Sequence, residues 1–357
     1  MATAEQARDA FVERLFDAAV DTMDVFCVYL GDRLGLYREL AGAESLTPPE
    51  LATAAGIDAR YAREWLEQQA ATGILVVDDA GKPEDERRFS LPQAHATALT
   101  DPESMYAMAA TCRSIAAIGG ILPDLVRAFR TGEGVPFEGD DTVEAQGDFN
   151  RPWLVGSFAN EYLPSIPDIH ERLTEGARVA DIACGAGWAA IAIARAYPKA
   201  VVDGFDLDAP SIDLARRNAE EAGVADRVTF EARDAGDPSY AERYHLAVIV
   251  EALHDMSRPV DVLSSVHSLL HEDGALVVAD ERVADHFHAP ADMRERLFYG
   301  YSVTACLPAG MMEKPSAGTG TVLRRATLER YAADAGFRET TVLPIEHDFL
   351  RFYRLDP

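Results

Sequence analysis

The sequence has little of what marks secreted or metal-rich proteins. Four cysteines occur in 357 residues, and no two of them form a CxxC pair: Cys27, Cys112, Cys184 and Cys306. This spacing predicts neither a disulfide framework nor a zinc site, and buried free thiols are the expected state. His286 and His288 lack a third ligand nearby in the sequence, so no metal cofactor is expected.

Long apolar runs and basic charge are also lacking. No apolar run approaches the roughly 20 residues that span a bilayer, and the N-terminus MATAEQARDA lacks the basic-then-apolar order of a signal peptide. A cytoplasmic location is therefore expected. Lysine and arginine number 33 against 60 acidic residues, a formal net charge of −27. Because this charge repels nucleic acid and anionic membranes, we expect neither as a partner.

What is present is a globular chain of two-domain size that begins with a helical pattern. Between residues 6 and 41, apolar positions recur at steps of three or four, which predicts a helix with a wide apolar stripe. The stripe consists of Val12, Phe16, Val20, Met23, Cys27, Leu30 and Leu34, flanked by Phe11, Leu15 and Phe26. Burial inside the protomer and a contact in a homodimer both account for this width.

Residues 47–91 have the pattern of a winged helix. The capping box TPPE at residues 47–50 opens a short helix that ends at Gly56, and Asp58 caps a second helix that runs to Gly73. Two short apolar segments, 74–77 and 89–91, predict a hairpin after it. The sequence therefore predicts a mainly helical, winged-helix-like domain over residues 1–110.

The second helix of this pattern would be the recognition helix of a DNA-binding protein. It carries two arginines against three acids, whereas a DNA reader concentrates cations there. This charge favours a role in dimerisation and as a substrate lid. A winged-helix transcriptional regulator with a ligand-sensing domain remains the alternative.

Residues 111–170 are predicted to be a helical linker region. Within it, the stretch TGEGVPFEGDDTVEAQGD at 131–148 is rich in glycine and acid, which predicts an exposed loop. From about residue 171, apolar segments without strict alternation are separated by helices. This pattern predicts an α/β fold, a Rossmann-like doubly wound and mostly parallel sheet covered on both faces, over residues 171–357.

The first strand of that sheet is predicted to end at Ala183, in the stretch VADIACGAGW. Gly185 and Gly187 allow a tight turn and close contact between backbone and ligand, and the helix starting at Trp188 offers free N–H groups. The loop therefore predicts a nucleoside-type site. The same glycines fit the looser dinucleotide fingerprint, so a NAD-type oxidoreductase is the other enzyme class to consider.

Acidic residues follow the next two predicted strands. Asp206 lies 19 positions after Gly187, where a carboxylate can accept hydrogen bonds from both ribose hydroxyls. Asp208 is predicted to cap the following helix, and Asp203 to be an outward or edge residue. Asp234 and Ala235 follow the third strand and suit an adenine edge. A dehydrogenase has less need for this third contact, because its second nucleotide half lies on that side of the sheet.

These residues resemble the class I S-adenosylmethionine-dependent methyltransferases, whose first motif is acid-x-Gly-x-Gly-x-Gly. Here the motif is DIACGAG at 181–187, with Ala183 in place of the first glycine. The resemblance covers about residues 170–357, including a closing antiparallel hairpin, and implies S-adenosylmethionine (SAM) as cofactor. It implies as cofactor-binding residues Asp181, Ala183, Cys184, Gly185, Gly187, Asp206, Leu207, Asp234, Ala235 and Glu251.

With the winged-helix-like part added, the chain resembles small-molecule O-methyltransferases. The fourth predicted strand leads into EALHDM at 251–256, and the resemblance implies His254 as general base with Asp255 as its neighbour that orients the loop. Packing against the cofactor is the alternative role of His254. The insertion at about 284–320 contains aromatic and methionine residues that suit either an apolar acceptor pocket or ordinary helix packing: Phe287, Phe298, Tyr299, Tyr301, Met311 and Met312. A small aromatic acceptor and a homodimer are expected.

Overall fold

The computed structural model describes residues 3–137, 140–234 and 244–357. The chain divides into two compact units, one up to residue 117 and one from residue 118 onward. The helices of the first unit are α1 (Ala4–Arg33), α2 (Leu36–Ala41), α3 (Pro48–Ala55), α4 (Ala59–Ala71) and α5 (Gln93–Thr100). A two-stranded antiparallel sheet joins β1 (Val76–Val77) to β2 (Phe89–Ser90). Helix α6 (Ala109–Thr131) contains the division between the units.

The winged-helix prediction is confirmed, and its caps form as expected. Thr47 Oγ1 accepts a hydrogen bond from the Glu50 N–H, while the Glu50 carboxylate accepts one from the Thr47 N–H at 2.8 Å. Asp58 Oδ1 accepts from the first N–H groups of α4. These contacts satisfy backbone donors that a helix N-terminus otherwise leaves unpaired, so the sequence signals translate directly into helix starts.

Helix α1 exposes its apolar stripe. Its side chains are mostly solvent-accessible, with Phe16 at 69% and Met23 at 59%, and among its described residues only Val28 and Gly31 are buried. Helix α6 is long and apolar enough by composition to cross a membrane, and 22% of its apolar window is buried in the protein. Arg113, Asp124 and Arg127 lie along α6, and charged side chains are costly inside a bilayer.

The second unit is built on a seven-stranded sheet of order β5-β4-β3-β6-β7-β9-β8. The five strands from β5 to β7 are parallel, and β9 and β8 are antiparallel. The strands are β3 (Arg178–Ile182), β4 (Val201–Asp206), β5 (Val228–Ala232), β6 (Tyr244–Val250), β7 (Leu270–Glu281), β8 (Glu339–Val342) and β9 (Leu350–Asp356). This arrangement confirms the predicted fold class and its closing antiparallel hairpin.

Helices cover both faces of the sheet with two apolar cores. They are α7 (Asp140–Trp153), α8 (Pro167–Glu175), α9 (Trp188–Ala196), α10 (Ala209–Glu221), α11 (Pro259–Leu269), α12 (Met293–Tyr301), α13 (Leu307–Gly310) and α14 (Arg325–Asp334). Two segments with π-helical hydrogen bonding, Leu154–Tyr162 and Ser302–Cys306, continue α7 and join α12 to α13. The chain reverses direction across the sheet between β3 and β6, which is where α/β sheets bind ligands.

Three local predictions were wrong. The stretch 140–148, expected to be loop, belongs to α7, and the turn expected before the fifth strand lies inside β7. Asp203, expected to face outward or to the sheet edge, is buried. It pairs with the Arg178 guanidinium at 2.8 Å and accepts hydrogen bonds from the hydroxyls of Thr229 and Tyr244.

Candidate functional site

A cavity of about 460 Å³ lies at the carboxyl edge of the sheet, in the second unit. This volume is in the range of about 300–1,000 Å³ that small-molecule sites occupy. Its walls come from α7, the ends of β3 to β6, and the segment around α13. The cavity brings together all the described residues named above as cofactor-binding except Gly187, which lies just behind the wall. Ala235 lies outside the described residues.

Three of the five residues 183–187 in the glycine loop have left-handed backbone angles. Ala183, Gly185 and Gly187 have φ of 56°, 50° and 79°. A Cβ on Gly185 would meet no protein atom within 4 Å, so this glycine borders open space in the cavity. A Cβ on Gly187 would lie 2.5 Å from the Phe230 ring, so that glycine is needed for close packing as well as for its backbone angle.

Asp206 ties this loop to β4. One of its carboxylate oxygens accepts from the Gly185 N–H at 2.8 Å and the other from the Asp208 N–H at 2.9 Å. Burial raises the pKa of Asp206, and these two backbone donors lower it in part. Asp208 in turn caps α10 through the Ser211 N–H, as predicted. The side chain of Asp206 lines the cavity with oxygen lone pairs still available to a ligand hydroxyl.

Two further carboxylates, one buried and one partly buried, face the cavity at the β3 and β6 strand ends. Asp181 is 1% exposed, and its Oδ2 accepts from the Ala190 N–H at 3.0 Å. Burial raises the pKa of Asp181 to about 7. Glu251 is partly buried, and burial raises its pKa too, while a hydrogen bond with Asn150 lowers it. Uncompensated carboxylates of this kind suit a cationic ligand.

The adenine side of the predicted site contains a residue that the sequence did not suggest. Asp234 lines the cavity, and its carboxylate lies 3.5 Å from the Arg258 guanidinium. Arg258 also lies 3.6 Å from Asp261 and 3.7 Å from Glu313. Among the described residues that line the cavity, Arg258 is the one cation beside eight acids. Leu207 also lines the cavity and is 68% exposed.

His254 lies in a buried cluster of carboxylates. Its Nδ1 is 3.0 Å from Asp280 and 3.1 Å from Glu281, and its Nε2 is 3.3 Å from Asp255. Burial alone would lower the pKa of His254, but the charges of Asp255, Glu281 and Asp280 raise it well above its usual value. Burial raises the pKa of Asp255 as well. The surrounding carboxylates therefore favour the charged form of the imidazole.

Asp255, and not His254, lines the cavity. His254 is 2% exposed and sits behind Asp255 in the short 3₁₀ turn Leu253–Asp255. The Cys306 thiol is also a hydrogen-bond partner of Asp255, and burial raises the pKa of that thiol to about 12. The pair thus presents a carboxylate to the cavity and holds a positive charge directly behind it.

The insertion contributes one of its six highlighted residues to the cavity. Met312 lines it together with Ala309 and Glu313, whereas Phe298 is buried in packing and Phe287 is 71% exposed. The larger contribution, missed from sequence, comes from α7. Its lining residues are Thr142, Val143, Gln146, Gly147 and Asn150, followed by Leu154. Their spacing of three to four is helical, and this was the available sign.

Comparison with known proteins agrees with this geometry. Residues 173–321 match the family described as "Methyltransferase domain", and residues 23–101 match the "Rv2258c-like winged HTH domain". The ubiquinone biosynthesis O-methyltransferase of Actinobacillus pleuropneumoniae serotype 5b is 31% identical over 105 residues, which are 28% of this chain and 44% of that protein. The chain thus matches less than half the length of this curated relative.

Two solved structures are similar along nearly the whole chain. Mitomycin 7-O-methyltransferase MmcR is 21% identical with a TM-score of 0.67, covering 98% of both chains. Human N-acetylserotonin methyltransferase, solved in complex with SAM, is 18% identical with a TM-score of 0.69, covering 100% of this chain and 99% of the other. At this level of identity the likeness is one of fold.

The fold and the matched domain define a class: the chain has the class I SAM-dependent methyltransferase fold, which confirms the resemblance drawn from the DIACGAG loop. Within that class, it combines a methyltransferase domain with an N-terminal winged-helix domain of the Rv2258c-like kind, the arrangement also found in its O-methyltransferase neighbours of similar structure.

Proposed function

We propose that this protein transfers a methyl group from SAM to a small, aromatic or polyketide-like acceptor. The observation that carries the proposal is one cavity at the β3/β6 reversal, bordered by the glycine loop and by the acids at the carboxyl ends of β4 and β5. The methyltransferase domain matched at residues 173–321 supports it.

The residues around the cavity fit SAM chemically. Asp206 offers carboxylate oxygens to a ribose, and Asp234 lies where an adenine edge would be recognised. Gly185 leaves open space beside the backbone, and Asp181 and Glu251 provide negative charge for the cationic groups of SAM. When bound, SAM supplies an electrophilic methyl group. The protein's task is then to orient the acceptor and to accept its proton.

The proton acceptor in this proposal is the His254–Asp255 pair. Asp255 meets the acceptor, because it is the member of the pair that lines the cavity. His254 lies 3.3 Å behind it and stabilises its charge, and Asp280 and Glu281 fix the ring from the other side. The general-base role assigned to His254 from sequence is thus shared: the carboxylate touches the acceptor, and the imidazolium keeps that carboxylate ionised and oriented.

The acceptor class follows from the rest of the wall. Apolar side chains line the cavity from α7 and the segment after it, from the turn after β6 and from the region of α13, among them Val143, Leu154, Met256 and Met312. Methionines adapt to irregular apolar ligands. The eight cavity acids against one arginine disfavour anionic acceptors such as carboxylates and phosphates. A neutral phenol or an amine is the acceptor that this lining suits.

We also propose that the protein is a homodimer through α1 and does not bind nucleic acid. The exposed stripe of α1 gives an apolar surface that a second copy would cover. On α4, Arg60 pairs with Glu64 and Arg63 with Glu84, so these cations are already neutralised within the protein. Nucleic-acid binding would need them free.

The first experiment is calorimetric titration of SAM, of its demethylated product S-adenosylhomocysteine (SAH) and of NADH into wild type and Asp206→Ala. Micromolar SAM binding that the substitution abolishes supports the proposal, and NADH binding without SAM binding points to an oxidoreductase. Asp226→Asn is the matched control, since this exposed acid precedes β5 and lies at the opposite edge of the sheet.

The second experiment tests the acid–base pair with an acceptor found by screening. Asp255→Asn and His254→Ala should each lower turnover by about 10²-fold or more while SAM affinity is kept. Turnover that is unchanged in both variants would remove the pair from the mechanism. A large loss in Asp255→Asn together with a small one in His254→Ala would assign the proton to Asp255 alone.

A further inference from the structure

Glu251 has an unfavourable backbone conformation at the centre of the cavity wall. It follows β6 with a φ of +47°, a left-handed angle that residues other than glycine rarely adopt. Its N–H donates to the Ala279 carbonyl of β7 at 2.8 Å, so the neighbouring strand holds the bend. Such conformations cost about 1–3 kcal/mol and persist where the surrounding structure fixes them, often at functional sites.

Glycine or asparagine would fit this backbone at lower cost, yet the position holds a long acidic side chain that lines the cavity. Asn150 of α7 is its hydrogen-bond partner, and its environment also contains Asp280 of β7 and the His254–Asp255 pair. Asp181 faces the same cavity from β3. Glu251 is therefore a negative charge directed into a site that already contains several others.

The charge of Glu251 is balanced only in part, by the buried imidazole of His254, which lowers the pKa of Glu251. Arg258, the one cation among the described lining residues, lies with Asp234, Asp261 and Glu313. His254 is held by three other carboxylates. Burial consequently raises the pKa of Glu251, so that the free protein binds a proton there over part of the neutral range. A bound cation would displace that proton.

We propose that Glu251 makes the cavity distinguish SAM from SAH by charge, binding the methyl donor in preference to its demethylated product. This inference rests on the proposed function. SAM contains a sulfonium and has one positive charge more than SAH, in which the sulfur is a neutral thioether. An ionised Glu251 stabilises this extra charge, which SAH lacks although both ligands contain the ammonium group of the methionine end. Beside the neutral thioether of SAH, Glu251 takes up a proton and attracts the ligand less. The residue thus favours release of the product over release of the donor.

The test compares affinities rather than rates. Glu251→Gln keeps the length of the side chain and a hydrogen-bonding partner for Asn150 but removes the charge. Calorimetric titration should show SAM binding weakened by about tenfold or more and SAH binding changed by less than about threefold, so that the preference for SAM falls. An analogue in which a protonated amine replaces the sulfonium should behave like SAM, because it has the charge without the methyl group.

Protons provide a second readout. In wild type near pH 7, SAM binding should release a fraction of a proton, measured as a dependence of the binding enthalpy on the ionisation enthalpy of the buffer, and SAM affinity should rise from pH 6 to pH 8. Glu251→Gln should lose most of this release. SAH should release less than SAM in wild type. Asp181 faces the same site, so Asp181→Asn is measured in parallel to separate its share.

Two further variants separate the charge of Glu251 from its backbone conformation and from the other charges of the cavity. Glu251→Asn removes the charge and suits the left-handed backbone, so it should raise the melting temperature by a few degrees and still lose the preference for SAM. Asp261→Asn removes a charge of the cavity wall that Arg258 already neutralises in part, and it should leave the ratio of the SAM and SAH dissociation constants unchanged.

An unchanged ratio in both Glu251 variants, with both ligands still bound, would overturn the role of Glu251 and leave the methyltransferase proposal intact. A wild-type protein that binds neither ligand would overturn the proposed function, and this inference with it. Equal loss of ratio in Asp261→Asn and Glu251→Gln would show that the charge of the whole cavity, and not this residue, makes the distinction.

Discussion

The Phe230 ring fixes how closely the glycine loop packs against the sheet, because two glycines, Gly187 and Gly204, lie directly against this ring. Gly204 of β4 lies between Asp181 of β3 and Phe230 of β5 in the sheet. A Cβ on Gly204 would lie 2.5 and 2.6 Å from two carbons of the Phe230 ring and 3.0 Å from Cys184 Sγ. A Cβ on Gly187 would lie 2.5 Å from the same ring. Phe230 is 5% exposed, so it cannot swing into solvent.

This geometry predicts that a smaller side chain at position 230 restores stability more fully to Gly204→Ala than to Gly187→Ala. Gly204→Ala should cost about 1–3 kcal/mol of unfolding free energy by overpacking, since its backbone angle is an ordinary strand angle. Gly187→Ala has the same steric cost and about 1–2 kcal/mol more, because its φ is +79°. Phe230→Leu removes the outer ring atoms at a cost of its own of about 1–2 kcal/mol and should relieve part of the steric cost in both variants. At Gly187 the contact with the Ala215 side chain, 2.9 Å from the added Cβ, and the backbone cost remain.

The assay is a pair of double-mutant cycles measured by urea unfolding, followed by tryptophan fluorescence and far-ultraviolet circular dichroism. In each cycle the double variant should be more stable than the sum of the single effects predicts, by about 0.5–3 kcal/mol. SAM affinity should recover together with stability in Gly204→Ala/Phe230→Leu. Additive effects in the Gly204 cycle, or complete rescue of Gly187→Ala, would refute the account of the ring as the spacer.

Three further predictions concern stability and assembly. Burial raises the pKa of Asp181 in the folded protein to about 7, so the folded protein binds more protons than the unfolded chain above pH about 4. The free energy of unfolding should therefore fall as the pH rises to about 7, by up to about 4 kcal/mol. Asp181→Asn should flatten this pH dependence in thermal unfolding scans. Thr47→Ala removes the capping box of α3 and should cost about 1 kcal/mol in urea unfolding, while Thr97→Ala on an exposed face of α5 should cost far less. Phe16→Glu in the exposed stripe of α1 should halve the mass measured by sedimentation if the dimer forms there, and equal masses for wild type and variant would exclude that interface.

The parts of the fold that follow from local chemistry were predictable. The capping box at Thr47, the cap at Asp58 and the apolar strands at 178–183 and 246–251 determine the positions of their elements with little help from the rest of the chain. The glycine loop and Asp206 were likewise recognisable, because a glycine-rich turn after one strand and an acid at the end of the next are together typical of a nucleoside site.

Composition misled where packing determines the structure. Gly147 is one of the glycines that made 131–148 resemble a loop, yet it lies in α7, where a Cβ would come 2.7 Å from the Ala186 side chain. That glycine permits close contact between helix and cofactor loop, which sequence alone does not reveal. Asp203 resembled a surface acid because its partners, Arg178 and Tyr244, are distant in the chain.

The proposed catalytic pair shows a second limit of prediction from sequence, the direction of side chains in a short turn. His254 and Asp255 are adjacent in sequence, and the motif drew attention to the histidine. The 3₁₀ turn directs their side chains differently, so that the carboxylate meets the cavity and the imidazole is enclosed by Asp280 and Glu281. A turn of three residues has no periodicity from which such a direction could be inferred.

The π-helical segments beside the cavity suggest how this scaffold can acquire new acceptors over evolutionary time. A π turn holds one residue more than an α turn, and single insertions are accommodated in this way. Deletion of one residue within Ser302–Cys306 would restore α geometry and leave Met312 close to its present direction, whereas a one-residue change in the α-helical turns beside it would rotate the following helix by about 100° and turn Met312 and its neighbours to new directions. The sheet and the glycine loop would be unaffected. Changes in gene length by a single codon, and not only substitutions, are therefore a route by which descendants of this protein could diversify the acceptor side of the cavity while the SAM side stays the same.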